Sequence, residues 1–397
     1  MGERPPRLDI ALHHDLAAVE GEWRRFERTA DCTPFQRFDW LGAWHRHIGL
    51  HKGVLPVIAL VRDASGKLLS IWPLALVKGR LARELRWLGQ GLSDYNAPLL
   101  VSDFGRHVTT DRFVAAWHGL QDRLQADALT RHGVVNLEQM PEFVGAQINP
   151  FVSLDVARNA SGAHWTELGA DWQKFYAEKR SSTSRRRDRA KMRHMSHYGE
   201  IRFVNCTGPE DTRQTLDVLI AQKARWLAGI GAPNLFEHPG LRDFLFDLAS
   251  RDGASHFVHI SRIDIGSTCA AANLGLVHGD CYYHFLTSYD RDLEVSRYGP
   301  GTLHLRKLME HAIALGLHRF DFTIGDEAYK REWADRTLKL FDHTTASTWS
   351  GKPAAGMLAA RRRIKRAIKQ SPVLWPLVYR LRAALLGRRS EKPGSPA

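Results

Sequence analysis

The chain has 397 residues, 44% of them hydrophobic and 25% charged, which is too long for one small domain and supports two, each with its own core. Four cysteines (Cys32, Cys206, Cys269, Cys281) with no CxxC pair exclude a disulfide framework and a cysteine-based metal site. The net charge is +13, but twelve Lys and Arg from Lys352 onward face a single acid, Glu391, so the tail carries +11 and the rest only +2.

In chain order, apolar spacing predicts helices over 15–30 and 35–48, then strands over 54–61, 68–77 and 85–89. DASGK at 63–67 is a hairpin signal between the first two strands. LSDYNAP at 92–98 puts Asp94 and Tyr95 at a strand exit, either lining an acceptor cleft or forming an Asx turn. A helix at 110–128 and a strand at 134–139 complete the first half. The second half repeats this order. Helices are expected over 170–196, 211–228 and 239–251, with a strand at 201–205. Strands follow at 256–263, 269–278 and 281–289, then a helix at 301–316 and strands at 318–323 and 339–345. The GKPAAG stretch at 351–356 reads as a hinge into the basic tail. The N-terminal twenty residues have no apolar core of the kind a secretion signal needs, and no run approaches about eighteen apolar residues, so a cytoplasmic location is expected.

Two stretches carry chemistry. In SRYGPGTLH (296–304) a strand feeds Gly299-Pro300-Gly301 and a helix begins at once. Glycines allow close backbone approach, and the first helical turn has N–H groups that suit a pyrophosphate. The second stretch is FDFTIGDEAYKREW (320–333). Asp321 points away from Phe320 and Phe322, toward a pocket, solvent or a structural cation. Lys330, flanked by Tyr329 and Trp333, either stabilises an oxyanion, holds a phosphate or is a surface cation. Asp326 and Glu327 are candidate bases but fit better as helix-capping acids, and Tyr283 and Tyr298 read as core aromatics or proton donors, so the base is unassigned. The twenty histidines, His45, His47 and His51 among them, show no ligand spacing, and no metal is expected.

Antiparallel strand, Gly-x-Gly loop, helix and strand together resemble the coenzyme A-binding core of GNAT acyltransferases, with Ser296 at the first loop position and Arg297 one place late. The stretch from Tyr298 to Asp342 is similar to the GNAT-like enzymes of bacterial cellulose and exopolysaccharide biosynthesis, the CelD-like group. Their mark is Asp-Phe-x-x-Gly-x-x-x-Tyr-Lys-x-x-Trp, here Asp321, Phe322, Gly325, Tyr329, Lys330 and Trp333. Further resemblance runs through TPFQRFDWLGAW, LSDYNAPLL, KRSSTSRRRDRAKMR and QKARWLAGIG, covering most of 10–345.

The resemblance implies an α+β fold of two tandem GNAT-like units, 8–155 and 165–348, each a mostly antiparallel mixed sheet flanked by helices, plus a basic helical tail at 352–397. It implies an acetyl-CoA or other acyl-CoA donor held by Arg297, Tyr298, Gly299, Gly301 and Thr302. Asp321, Lys330 and Tyr329 would be catalytic. Asp94, Tyr95, Arg180, Arg185 and Trp333 would bind substrate, a small-molecule or saccharide-linked acceptor, with the two arginines reaching a phosphate of donor or acceptor. In the tail, Leu374, Leu377, Val378, Leu381 and Leu385 follow helical spacing beside Trp375, Arg380 and Arg382. Such a helix lies on an anionic membrane, joins a synthase complex or packs on the body. Nucleic acid is not expected for a nearly neutral body without a recognised module. Two rival readings are a Fem-type aminoacyl-tRNA-dependent peptidyltransferase and a non-catalytic scaffold of a polysaccharide synthase.

Overall fold

A computed structural model describes residues 8–230, 234–250 and 257–371. The chain opens with β1 (Asp9–His13), α1 (Glu20–Phe26) and α2 (Phe38–Trp44), followed by the meander β2 (Leu55–Arg62), β3 (Leu68–Lys78) and β4 (Arg83–Trp87). Next come β5 (Leu99–Leu100), α3 (Phe104–His107), α4 (Thr110–Ala126), β6 (Val134–Pro141), the small hairpin β7 (Phe143–Val144) and β8 (Gln147–Ile148), and β9 (Val156–Arg158). A second series holds β10 (Ala163–Glu167), α5 (Trp172–Lys179), α6 (Ser182–Ser196), β11 (Ile201–Asn205), α7 (Pro209–Gly229) and α8 (Pro239–Ser250). It continues through β12 (Val258–Ile265), β13 (Thr268–His278), β14 (Cys281–Tyr289), α9 (Pro300–Ala314), β15 (Arg319–Ile324), α10 (Ala328–Trp333) and β16 (Arg336–Leu338). Last are β17 (Leu340–Ala346) and α11 (Lys352–Gln370).

Two compact units result, one from residues up to 163 together with 338–366, the other with its body at 164–337. The first sheet has the order β1-β2-β3-β4-β6-β17-β9, with β5 also on β3; the second has β11-β12-β13-β14-β15-β10-β16. The first sheet is mostly antiparallel with one parallel neighbour pair, β4 with β6; in the second, β11 to β14 run antiparallel and β14 pairs with β15 in parallel. The expected α+β class holds in both units. β2 and β3 read as nearly continuous apolar runs because both of their faces are covered. Phe113, Trp117, Leu120 and Leu124 recur at helical spacing and turn one side of α4 to that core.

Three expectations are corrected. The strand at 339–345 was assigned to a unit ending at 348, but β17 sits between β6 and β9 in the first sheet, and the second sheet takes β10 beside β15 instead. Alternation identifies a strand without naming its partner, and here the partner lies some two hundred residues back. The helix at 170–196 is two helices, because Ser181 accepts a hydrogen bond from the Ser184 amide and starts a new one. The hinge at 351–356 is the start of α11. Pro353, in its first turn, lacks only an N–H that the helix does not use there.

The front of the basic tail therefore packs on the first unit. Ala354 and Leu358 bury against Val134. The Arg362 guanidinium bonds to Thr344 and Asn136, lies 3.2 Å from Glu138 Oε1, and approaches the buried Asp342 to 3.7 Å. The apolar run from Leu374 lies outside the described residues. Among the described residues no helix is long and apolar enough to cross a membrane. Burial pushes the Asp342 carboxyl above its ordinary range, and Arg362 is the cation that opposes this. Arg362→Ala is expected to destabilise the protein by about 3 kcal/mol at pH 7 in urea unfolding. A raised carboxyl contributes most when protonated, so the loss should shrink as the pH falls toward 4, and a pH-independent loss would contradict this role.

Candidate active site

The second unit's sheet opens at its parallel pair. β14 and β15 are in register only at Cys281 with Arg319, Tyr282 with Phe320 and Tyr283 with Asp321; past these the backbone ladder ends, and Thr323 Oγ1 donates to His284 O at 3.4 Å. On β14 the register against β13 also shifts between Leu274 and Leu276, inserting an extra β14 residue around His284 and Phe285. His284 thus stands just past the last shared pair, its ring 5.9 Å from that of Phe320. It is 5% exposed, and neither ring nitrogen has a hydrogen-bond partner. Burial, reinforced by the Lys330 and Lys223 cations, pushes it down to about 3, so it is neutral at pH 7. The unpaired Asn273 Oδ1 and His304 Nδ1 belong to the same buried region. There Ser261 Oγ meets His304 Nε2 at 2.9 Å, and Tyr282 Oη meets His259 and Asn273 at 2.8 and 2.9 Å. Buried polar atoms are seldom left unpaired, so this cluster points to water or a ligand as the missing partner. Sequence reading passed over His284; its signal was an imidazole on the same strand face as Tyr282 in an otherwise aromatic run.

Beside this opening, Gly299 caps α9 in the left-handed region (φ 76°), where a side chain is strained. Of the first-turn N–H groups expected to suit a pyrophosphate, most are otherwise engaged. The Gly299 N–H donates to Ser296 O, Pro300 has no N–H, and the Thr302 N–H donates to Gly299 O. Gly301, second in the helix, is the residue of that set whose N–H has no acceptor within the helix, and the Tyr289 ring lies 3.3 Å from where its Cβ would be. Of the other expected donor contacts, Thr302 is exposed, Tyr298 stacks on His194, and the exposed Arg297 bonds to Tyr198 Oη and Glu294.

The signature after β15 builds a buried, hydrogen-bonded turn. Thr323 has φ 58°, a left-handed value that strains a β-branched residue, and its amide donates to Asp321 Oδ1 at 2.7 Å. Asp321 is buried and holds that kink rather than facing solvent. Lys330 is buried too; its ammonium donates to Ile324 O at 2.7 Å and pairs with Glu327 at 3.1 Å, closing the turn onto α10. Glu327 stands at the N-cap position of α10 without a side-chain capping bond. Tyr329 packs at the edge of the core, and buried Trp333 stacks on Phe175 and Tyr176. Arg180 lies over Trp333 and pairs with Glu332, while Arg185 lies on α6. Asp94 and Tyr95 belong to the first unit, where Tyr95 is a core residue against Phe35 and Asp94 is half-buried.

Residues 182–331 match the family model described as an acetyltransferase (GNAT) domain, a span that holds α6 through most of α10 and both diverging strands. The second unit is an acyltransferase domain of this type, and the protein is an acyltransferase. Among solved structures the chain is similar in fold to FemX (9% identity, 88% of this chain and 99% of that one, TM-score 0.57). It is similar to the L-PGS of Bacillus licheniformis (10%, 89% and 99%, 0.51). A third is the C-terminal domain of a provisionally named lysylphosphatidylglycerol synthetase from Agrobacterium fabrum (12%, 88% and 96%, 0.51). These likenesses concern fold. A search of curated proteins gave no sequence match.

Two outcomes follow. Asp321→Ala leaves the buried Thr323 amide without its acceptor and should cost about 1–3 kcal/mol in denaturant unfolding; an unchanged midpoint would remove Asp321 from this role. His284 stays neutral when folded but takes a proton when unfolded below pH 6.5, so stability should fall as the pH drops from about 6 toward 4. His284→Leu should reduce that slope by close to one proton, ~1.4 kcal/mol per pH unit.

Proposed function

We propose that the protein moves an acyl group from an acyl-coenzyme A thioester, acetyl-CoA being the first to test, to an amine or hydroxyl acceptor. The observation that carries this is the parting of β14 and β15 at a buried imidazole with both nitrogens unpartnered, beside a helix that starts on left-handed Gly299. An extended pantetheine arm can take the place of the missing strand neighbour between the two strands. The thioester then lies near His284, whose neutral ring offers one N–H and one lone pair. The N–H suits the carbonyl oxygen as negative charge develops on it. The acceptor's nucleophilic atom bonds to the carbonyl carbon, the C–S bond breaks, and the proton lost by the acceptor balances the thiolate that leaves. The Gly301 amide and the start of α9 are the donor's phosphate contact.

The acceptor class rests on the resemblance of the 298–342 stretch. We read it as a saccharide-linked or cell-envelope group of exopolysaccharide type, with the basic tail drawing the enzyme toward an anionic membrane or a synthase. The test is calorimetric titration of the full chain with acetyl-CoA. Micromolar binding is expected, weakened at least tenfold in Gly301→Val, whose side chain collides with Tyr289. No heat at about 1 mM donor would overturn the reading, leaving a scaffold or a different donor.

A further inference from the structure

The break between α5 and α6 brings together a group of charges apart from the His284 and Gly301 contacts. Arg180 lies in the break with an extended backbone, which directs its guanidinium over Trp333 at 5.4 Å. Arg306 reaches the same place from α9. Its Nη1 lies 3.1 Å from Tyr176 Oη and 3.4 Å from Asp188 Oδ2, and its guanidinium sits 5.8 Å over the Tyr176 ring. Arg185 stands one turn before Asp188 on the same face of α6.

One buried carboxylate serves this group. Asp188 Oδ2 accepts from Tyr176 Oη at 2.6 Å and is 3.4 Å from Arg306 and 3.8 Å from Arg180. The other acid, Glu332, pairs with Arg180 from a side chain that is 56% exposed. The Arg185 side chain has no hydrogen bond or ion pair among the described residues. The Nε–H groups of Arg180, Arg185 and Arg306 are all buried without an acceptor, and Arg306 is only 8% exposed. Three guanidinium groups therefore have more donors, and more charge, than the protein answers. A buried donor left unmade costs about 1–3 kcal/mol. A carboxylate offers two oxygens, whereas a phosphoryl group offers three and a charge near −2, and guanidinium forks match it in pairs.

We propose that Arg180, Arg185 and Arg306 form a preorganised phosphate-binding site, with Asp188 and Tyr176 holding Arg306 and Arg180 in place. The ligand is a phosphoryl group, carried either by the acyl donor or by a phosphorylated acceptor. The site stands whether or not the donor is coenzyme A.

The test uses the full chain and inorganic phosphate, followed by calorimetry and thermal unfolding. Saturable phosphate binding that raises the melting temperature is expected. Arg185→Gln, which removes no partner from Asp188, should weaken it at least tenfold, and Arg185→Lys should restore part of the loss. Titrating wild type and Arg185→Gln with coenzyme A and 3′-dephospho-coenzyme A separates the sources. A loss for coenzyme A that is absent for the dephospho form assigns the site to the donor's 3′-phosphate. Unchanged coenzyme A affinity, with phosphate or a nucleoside diphosphate sugar still binding beside saturating coenzyme A, assigns it to the acceptor. No saturable phosphate binding at about 10 mM, or binding that Arg185→Gln leaves unaltered, overturns the proposal. Failure of coenzyme A to bind while phosphate does would overturn the donor reading alone.

Discussion

Two parallel strands that share a few residue pairs and then part leave backbone and side-chain groups facing a gap that no third strand fills. Both units contain such a pair, and what each places at the parting decides its role. In the first unit, β4 and β6 share Glu84 with Val134 and Leu85 with Val135. Just beyond, Trp87 lies 4.7 Å from Phe151, which also touches Trp72, Phe113 and Trp117 at 5.0–5.3 Å. Edge-to-face aromatics fill that place with apolar mass. In the second unit the corresponding place holds His284 among unpaired polar atoms. The helix starts differ in the same sense. Thr109 gives its side chain to an α4 amide, whereas Gly299 has no side chain to give. One unit fills this place with aromatic rings, and its counterpart leaves buried polar atoms there without partners.

The parting is held by backbone strain in both sheets. Among the described residues, Gln139 and Thr323 are the non-glycine residues with positive φ, both 58°, and each lies on the second strand of its parallel pair past the shared register. Each donates its amide to a buried carboxylate, Gln139 to Asp342 and Thr323 to Asp321. A left-handed β-branched residue costs about 1–3 kcal/mol unless its surroundings fix it. The two carboxylates supply that restraint, one from a neighbouring strand and one from the same strand. Asp321 thus has a physical reason to be in the signature without touching an acceptor.

Much of the fold was legible because its elements are strongly periodic. The meander 55–87, the strands 258–289 and α9 fall within a few residues of where alternation and helical spacing put them. Short strands such as Val156–Arg158 and Arg336–Leu338 carry too few residues for a period to show. Partnership was not legible for β17, because alternation says which face is buried and not which edge it joins. At the site, the glycine loop and the Asp-to-Trp signature stood out in the sequence, but the contacts of their side chains did not. For Lys330 the sequence left an oxyanion, a phosphate or solvent open as its partner, and only the fold shows its ammonium turned back onto Ile324 O. His284 was hidden because one polar residue in an aromatic strand reads as an ordinary core histidine.

The placement of β17 bears on how the chain is made. Its strand lies between β6 and β9, so the first sheet cannot close until residues beyond 340 have left the ribosome. The amino-terminal half must wait through synthesis of the entire acyltransferase domain with β6 as an open edge. A gene cut between the two units would separate β17 from the strands it joins, so the pair is bound to evolve, and to be degraded, as one object.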